Sequence, residues 1–103
     1  MKINFEIELL RTFIAFADTG SFKRASELVF RSQPAVSMQM KRFEDVVGKQ
    51  LFMKKGRELI LTEAGLNMVS YARQLLSMHD DIVDKIQGQK IDGKVCIGIP
   101  DDY

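Results

Sequence analysis

The sequence predicts a mostly α-helical fold, in which three short helices and a small β-hairpin precede one long helix. Three observations lead to this prediction. Apolar residues recur at intervals of three and four over most of the 103 residues, which is the period of an amphipathic helix. Serine or threonine before these segments and glycine after them indicate where helices begin and end. Two short apolar segments around a basic, glycine-containing turn are typical of a hairpin.

The first two predicted helices are short and are separated by a glycine. Residues 6–18 form the first helix, because its apolar residues lie on one face: Leu9, Leu10, Phe13, Ile14 and Ala17. Gly20 lies just past its end, and Ser21 can cap the next helix. The second helix also has one face of apolar or small residues, made by Phe22, Ala25, Ser26 and Val29.

The third predicted helix covers residues 33–47 and ends at Gly48. Ser32 is a suitable N-cap. Pro34 suits the first turn, because the N–H that proline lacks has no partner there in any helix. A row of apolar residues at steps of four and three predicts the buried face: Val36, Met40, Phe43 and Val47.

A hairpin and a long helix are predicted next. Segments 51–53 and 59–61 form the strands, and residues 54–58 form the turn. Thr62 then caps a helix that reaches residue 87 and ends near Gly88. Its apolar face is too wide for one small domain to cover, so part of it is expected to pack on a partner helix. The residues predicted for this dimer contact are Met68, Ala72, Leu75, Leu76, His79, Ile82, Val83 and Ile86.

These elements divide the chain into three parts. Residues 1–61 are expected to form one domain, and residues 62–88 form the long helix. Residues 89–103 begin with a polar linker and continue into a strand over residues 94–99. A single strand has nothing to pair with in this chain, so it is expected to be the first element of a further domain.

The composition argues against several classes of protein. Hydrophobic residues make up 46% and charged residues 28% of the chain, which is typical of a globular protein. The sequence has no apolar segment of about 18 residues and no apolar signal core at its start, so no membrane contact and a cytoplasmic location are expected. One histidine and one cysteine provide little for a metal site, a disulfide or a nucleophile–base pair. We therefore expect no cofactor, no metal and no enzymatic activity.

Charge is distributed unevenly along the chain. Residues 1–61 contain eleven Lys and Arg against seven Asp and Glu, whereas residues 62–103 contain four against seven. A basic first part suggests contact with a polyanion. The excess is modest, and a solvated surface with chance clustering explains the charge alone equally well.

The order helix, turn, helix, basic hairpin is that of a winged helix-turn-helix. The third helix would be the reader, because a helix fits the major groove of DNA and its N-terminal residues reach base edges. Opposite its buried row it presents Gln33, Ser37 and Lys41, with Met38 and Arg42 beside them. Glutamine can pair with adenine and methionine can contact a thymine methyl, while the two cations would lie near phosphates.

The turn of the hairpin carries Lys54, Lys55 and Arg57. Considered alone, such a charged turn is more often a solvated surface. Because it follows a helix-turn-helix pattern, we instead expect Arg57 to enter a narrow minor groove, where the electrostatic potential is most negative.

Residues 9–65 resemble the amino-terminal domain of the LysR-type transcriptional regulators. The resemblance rests on Gly20-Ser21-Phe22, the Ala-Ser pair at 25–26, Ser32-Gln33-Pro34-Ala35-Val36-Ser37, Leu51-Phe52 and Leu61-Thr62-Glu63-Ala64-Gly65. The ending at residues 98–103 is similar to that of the branch containing motility and exoenzyme regulators. The family implies double-stranded DNA as partner and a homodimer formed by antiparallel pairing of the long helix, with higher oligomers of the full-length protein.

The resemblance also implies roles for single residues. Gln33, Pro34 and Ser37 match the family's major-groove contacts, and Arg57 matches its minor-groove arginine. Met38 departs from the family, which often has a basic residue there. Lysine replaces a common arginine at position 54 and can meet a phosphate, but not bidentately. The predicted DNA-binding residues are Ser32, Gln33, Pro34, Ser37, Met38, Lys41, Arg42, Lys54 and Arg57.

Two functions compete for these observations. The first is a dimeric, sequence-specific DNA-binding transcriptional regulator. The second is a protein-interaction module, in which the long helix forms a coiled-coil dimer and the front half only supports it, with non-specific affinity for DNA. His79 is expected to be a partly buried or interface histidine, and Cys96 a small buried hydrophobe.

Overall fold

The computed structural model describes the backbone of residues 4–91 and the side chains of residues 4–88. The chain forms α1 (Ile7–Thr19), α2 (Phe22–Leu28), α3 (Gln33–Val47), β1 (Phe52–Lys55), β2 (Glu58–Leu61) and α4 (Glu63–Ile91). This order confirms the predicted fold, three helices and a hairpin followed by a long helix. The strand predicted over residues 94–99, with Cys96, lies outside the described residues.

The helix boundaries follow from local capping. The Ser21 hydroxyl accepts a hydrogen bond from the Arg24 N–H at 3.2 Å and caps the start of α2. The Ser32 hydroxyl accepts from the Ala35 N–H at 3.2 Å and caps the start of α3. Gly20 and Gly48 close α1 and α3 in the left-handed conformation, with φ of 75° and 81°. The predicted capping residues of these helices are thereby confirmed.

The core lies where the first three helices meet the hairpin. Phe13 of α1 and Phe43 of α3 are fully buried, with ring centroids 5.2 Å apart. Val36 and Met40 are buried beside them, whereas Val47 is only partly buried at the end of the predicted row. Large aromatic side chains supply much of the apolar area removed from water, so they fix α3 against α1.

The hairpin is anchored at its base and exposed at its tip. Its strands pair antiparallel, with Phe52 opposite Leu61 and Lys55 opposite Glu58. The strands are therefore longer toward the tip than predicted, and the turn shrinks to Gly56, in the left-handed region with φ 64°, and the following residue. Phe52 is buried and lies edge-on to Phe16 of α1, at a centroid distance of 5.1 Å. The hairpin thus projects from the core as a wing.

Glu44 joins α3 to the wing. Its carboxylate accepts hydrogen bonds from the N–H groups of Leu51 at 2.7 Å and Phe52 at 3.2 Å. These two amides precede and begin β1, where one carboxylate satisfies both. Glu44 therefore links the third helix directly to the start of the wing, in addition to the aromatic packing around Phe52.

Replacing Glu44 with alanine is expected to lower the free energy of unfolding by about 2 kcal/mol, because hydrogen bonds to a charged group contribute about 1.5–3 kcal/mol. Urea unfolding followed by circular dichroism measures the change. Asp45→Ala is the matched control, since the neighbouring Asp45 is exposed. Equal stability of the two variants would contradict this role of Glu44.

The long helix α4 begins at the base of the wing. The Thr62 hydroxyl accepts from the Gly65 N–H at 3.1 Å, which confirms the predicted cap, and donates to the Gln50 carbonyl at 2.7 Å. Ala72 and Leu76 then pack within the core. The first half of α4 is therefore part of the same packed unit as α1.

The predicted end of α4 near Gly88 is wrong, as is the start of a linker at residue 89. The helix continues through Gly88 to Ile91. A glycine inside an exposed helix costs only about 1 kcal/mol relative to alanine. Gln87, Gln89 and Lys90 around it are good helix formers, so one glycine is not enough to stop the helix.

Candidate nucleic-acid interface

The third helix, α3, presents an exposed face opposite its buried one. Ser32, Gln33 and Pro34 at its N-terminal end are exposed. Farther along, Ser37 and Lys41 are also exposed, and Met38 keeps 73% of its surface open to solvent. A large apolar side chain in this position has nothing to cover it in the described part of the chain. This end of α3 can therefore enter a groove without disturbing the core.

A groove of about 800 Å³ lies between the N-terminal ends of α2 and α3 and the wing. We call it the reader–wing groove, and its polar lining includes Ser21, Lys23, Gln33, Lys54, Arg57 and Glu58. The structure thus brings together three of the predicted residues, Gln33, Lys54 and Arg57. Ser37, Met38, Lys41 and Arg42 do not line this groove and follow the outer face of α3 instead.

Lys23 is a member of this groove that the sequence analysis did not include. It is exposed on α2, directly after Phe22, and shares the groove with the wing residues Lys54 and Arg57. A basic residue two positions after the capping Ser21 is the signal that was available in the sequence. That signal says nothing by itself about which other element lies opposite.

Ion pairs divide the cations of the described residues into two groups. Four arginines are paired with carboxylates of α1, of its N-cap or of α4: Arg11 with Asp80, Arg31 with Glu8, Arg42 with Glu6 and Arg73 with Asp18. Within residues 4–88, the cations that take part in no ion pair are Lys23, Arg24, Lys41, Lys49, Lys54, Lys55 and Arg57. The positive charge that is not locally neutralised therefore includes the reader–wing groove and the face of α3. Arg42, predicted to lie near phosphates, is engaged with Glu6 in the free chain.

Asp80 forms a small polar cluster between α4 and α1. The Arg11 guanidinium donates to its carboxylate at 2.6 Å, and the His79 ring lies 3.3 Å from the same oxygen. Arg11, and then His79, hold the pKa of the Asp80 carboxyl below its ordinary value of 3.8. His79 is partly buried here, as predicted. In the part of the chain that the structure describes, no group of His, Cys, Asp or Glu has the arrangement of a metal site.

The predicted dimer residues of α4 fall into two sets. The prediction that Ala72 and Leu76 contact a partner is wrong, because both are buried against the chain's own core, Ala72 completely. Met68 is partly buried against the same core. Leu75, Ile82, Val83 and Ile86 are exposed and remain available to a partner.

Two exposed residues of α4 complete this surface and were missed by the sequence analysis. Tyr71 and Met78 are 62% and 66% exposed, and they align with the exposed predicted residues at steps of four and three. We call this set the outer row, and it consists of Tyr71, Leu75, Met78, Ile82 and Ile86. A row of this size without cover in a single chain is unusual for a monomeric protein. None of the helices described is long and apolar enough to cross a membrane.

Comparison with known proteins places this geometry among regulators. Residues 7–66 match the family described as bacterial regulatory helix-turn-helix protein, lysR family. The chain is 42% identical over 100 residues to the HTH-type transcriptional regulator PecT of Dickeya dadantii, covering 97% of this chain and 32% of PecT. It is 40% identical over 98 residues to the HTH-type transcriptional regulator DgdR of Burkholderia cepacia, covering 95% and 33%. The chain thus spans about a third of the length of these relatives.

Solved structures give the same picture. A crystal structure of Vibrio fischeri DarR in complex with DNA superposes with a TM-score of 0.79 at 30% identity, over 85% of this chain and 30% of that one. The complex of the CbnR DNA-binding domain with DNA superposes with a TM-score of 0.75 at 29% identity, over 84% and 99%. The arrangement of α1 to α4 and the wing is therefore shared with proteins crystallised on DNA.

Proposed function

Since the chain belongs to the LysR family of bacterial regulatory helix-turn-helix proteins, we propose that it binds double-stranded DNA in a sequence-specific manner as the reading and pairing part of a transcriptional regulator. It acts as a binding protein and not as an enzyme, in the cytoplasm, where its DNA lies. The observation that carries the proposal is the concentration of cations without ion-pair partners around the exposed N-terminal end of α3 and the wing. Such charge attracts the phosphate backbone.

In this proposal α3 enters the major groove. Gln33 and Ser37 face the base edges, where a glutamine amide pairs with adenine through two hydrogen bonds. Met38 is placed to pack on a thymine methyl, since it is large, apolar and uncovered. Ser32 and Pro34 bring the start of the helix to the DNA, and Lys41 meets a phosphate, which adds affinity without selecting a sequence.

The wing enters the neighbouring minor groove. Arg57 follows Gly56 at the tip of the hairpin and has the reach and charge for a narrow, electronegative groove. Lys54 lies on β1 in the reader–wing groove and meets a phosphate as a point charge. Arg42 can reach a phosphate only by leaving Glu6.

Two copies of the chain pair through α4. The outer row supplies the apolar contact, with Val83 and His79 at its edge, and an antiparallel arrangement places the two α3 helices on one side of the pair. Covering these side chains removes apolar surface from water, which stabilises the pair. In the full-length protein, further contacts assemble higher oligomers. The dimer therefore reads two half-sites, whose separation α4 sets.

Replacing Gln33 or Arg57 with alanine tests the proposal. Each variant is expected to lose about tenfold in affinity for the preferred duplex, because a good base contact contributes about 1–3 kcal/mol of discrimination. Fluorescence anisotropy at fixed salt, with duplexes selected from a random pool, measures it. Gln74→Ala is the control, an exposed glutamine on α4 away from the groove.

The alternative function predicts a different result. If the chain is a coiled-coil interaction module with only non-specific affinity for DNA, both variants bind like the parent chain, and no duplex is preferred over random sequence. Sedimentation of the same samples must show an unchanged dimer, so that a loss of DNA binding is not a loss of assembly.

A further inference from the structure

The reader–wing groove contains a cation to which the proposed function assigns no role. Lys23 stands at the second position of α2, where its side chain is exposed and lines the groove with Gln33, Lys54 and Arg57. These four residues come from three elements of the chain, α2, α3 and the wing. The groove therefore brings charge from α2 next to the two elements that are proposed to contact DNA.

The geometry of a DNA duplex indicates which part of the DNA would occupy the reader–wing groove. A major groove and the minor groove beside it are separated by one sugar–phosphate backbone. If Gln33 lies in the major groove and Arg57 in the adjacent minor groove, that backbone runs between them. The space between Gln33 and Arg57 is the reader–wing groove, and Lys23 lines it.

We propose that Lys23 anchors a phosphate of the DNA strand that lies in the reader–wing groove, an inference that rests on the proposed function. Within residues 4–88 Lys23 forms no ion pair, unlike Arg31 and Arg42, so no described carboxylate lies within 4 Å of its ammonium. A lysine contact to phosphate carries no base information. Lys23 thus fixes the register of the reader on the duplex and strengthens binding to every sequence alike.

Glu58 provides a test in which the expected effect on DNA affinity is opposite to that of Lys23. It lines the same groove as Lys23, Lys54 and Arg57. A carboxylate beside a phosphate backbone repels it. If DNA occupies the groove, removing the charge of Glu58 strengthens binding, whereas removing that of Lys23 weakens it.

The experiment compares the chain with Lys23→Gln, Lys23→Arg and Glu58→Gln, and uses Lys85→Gln as the matched control. Lys85 is an exposed lysine of α4 that lies 4.0 Å from Asp81. Affinity for the selected duplex and for random duplex is measured over a range of salt. Lys23→Gln is expected to weaken both about three- to tenfold and to reduce the salt slope by about 0.9 per bound chain. Lys23→Arg keeps the affinity, Glu58→Gln raises it, and Lys85→Gln leaves it unchanged.

A duplex scan locates the contact. Single uncharged methylphosphonates are placed along each strand, and the position that weakens the parent chain but no longer affects Lys23→Gln marks the anchored phosphate. If Lys23→Gln binds both duplexes with the parent's affinity and slope, the inference is overturned, while preference of the parent for its duplex leaves the proposed function standing. A parent chain without any DNA affinity overturns both.

Discussion

Alanine in place of Gly65 is expected to cost about 3 kcal/mol of folding free energy, at the upper end of what overpacking usually costs. A Cβ at this position would lie 2.3 Å from the Leu51 carbonyl oxygen and 3.1 Å from a methyl carbon of Leu61. The carbonyl cannot move away freely, because it accepts the Thr62 N–H at 2.9 Å, and the Leu51 N–H is held by Glu44. The extra methyl therefore separates α4 from the base of the wing.

Gly88→Ala is the control for this prediction. Gly88 lies in the same helix and has no atom within 4 Å of an added Cβ, so alanine there is expected to stabilise the chain by up to about 1 kcal/mol. Urea unfolding followed by circular dichroism compares the two variants. Opposite signs are the expected result. A Gly65→Ala chain as stable as the parent would show that the contact between α4 and the wing relaxes without cost.

The second large effect concerns the outer row. Ile82→Asp is expected to convert the proposed dimer into a monomer, because a charge would be buried within an apolar contact. Ile82 is 54% exposed in the single chain, so the fold of the monomer should not suffer. Without the second copy, the affinity for a duplex with two half-sites is expected to fall by about 100-fold or more, because the two binding events are no longer linked.

Sedimentation, circular dichroism and anisotropy together test this outcome. The helix content should be retained, the mass halved, and affinity for a duplex with a single half-site little changed. Ser77→Asp introduces the same charge at an exposed position of α4 outside the outer row and should leave the dimer intact. An Ile82→Asp chain that remains dimeric would contradict pairing through this row.

Local patterns predicted most of the fold. The positions of Ser21, Ser32 and Thr62 just before segments of apolar periodicity predict them as caps, and each accepts the expected hydrogen bond. Gly20 and Gly48 also predict the ends of their helices correctly, because the residue after a helix often adopts the left-handed conformation, which glycine adopts most easily. Gly88 gives the same sequence signal as Gly20 and Gly48, but its neighbours are good helix formers and the helix continues through it.

Contacts between elements that are far apart in the sequence could not be predicted from local patterns. Periodicity predicts the wide apolar face of α4 but does not tell which row packs on the chain's own core, so it does not show that Ala72 is buried there. The pairing of Arg42 with Glu6 joins residues far apart in sequence, and no local pattern signals it. Lys23 likewise gains its meaning only from Lys54 and Arg57 across the groove.

Because α4 is continuous from the core to the outer row, it also fixes the direction in which the outer row faces relative to the core. Successive residues of an α-helix are rotated by about 100° around the helix axis and lie about 1.5 Å apart along it. One residue inserted between Leu76, held in the core, and Ile82, in the outer row, would swing the pairing face about a quarter turn around the helix axis. Seven inserted residues would restore the direction to within about 20° and move the partner about 10 Å away. In the proposed dimer, the number of residues between Leu76 and Ile82 therefore sets the orientation of one α3 helix relative to the other.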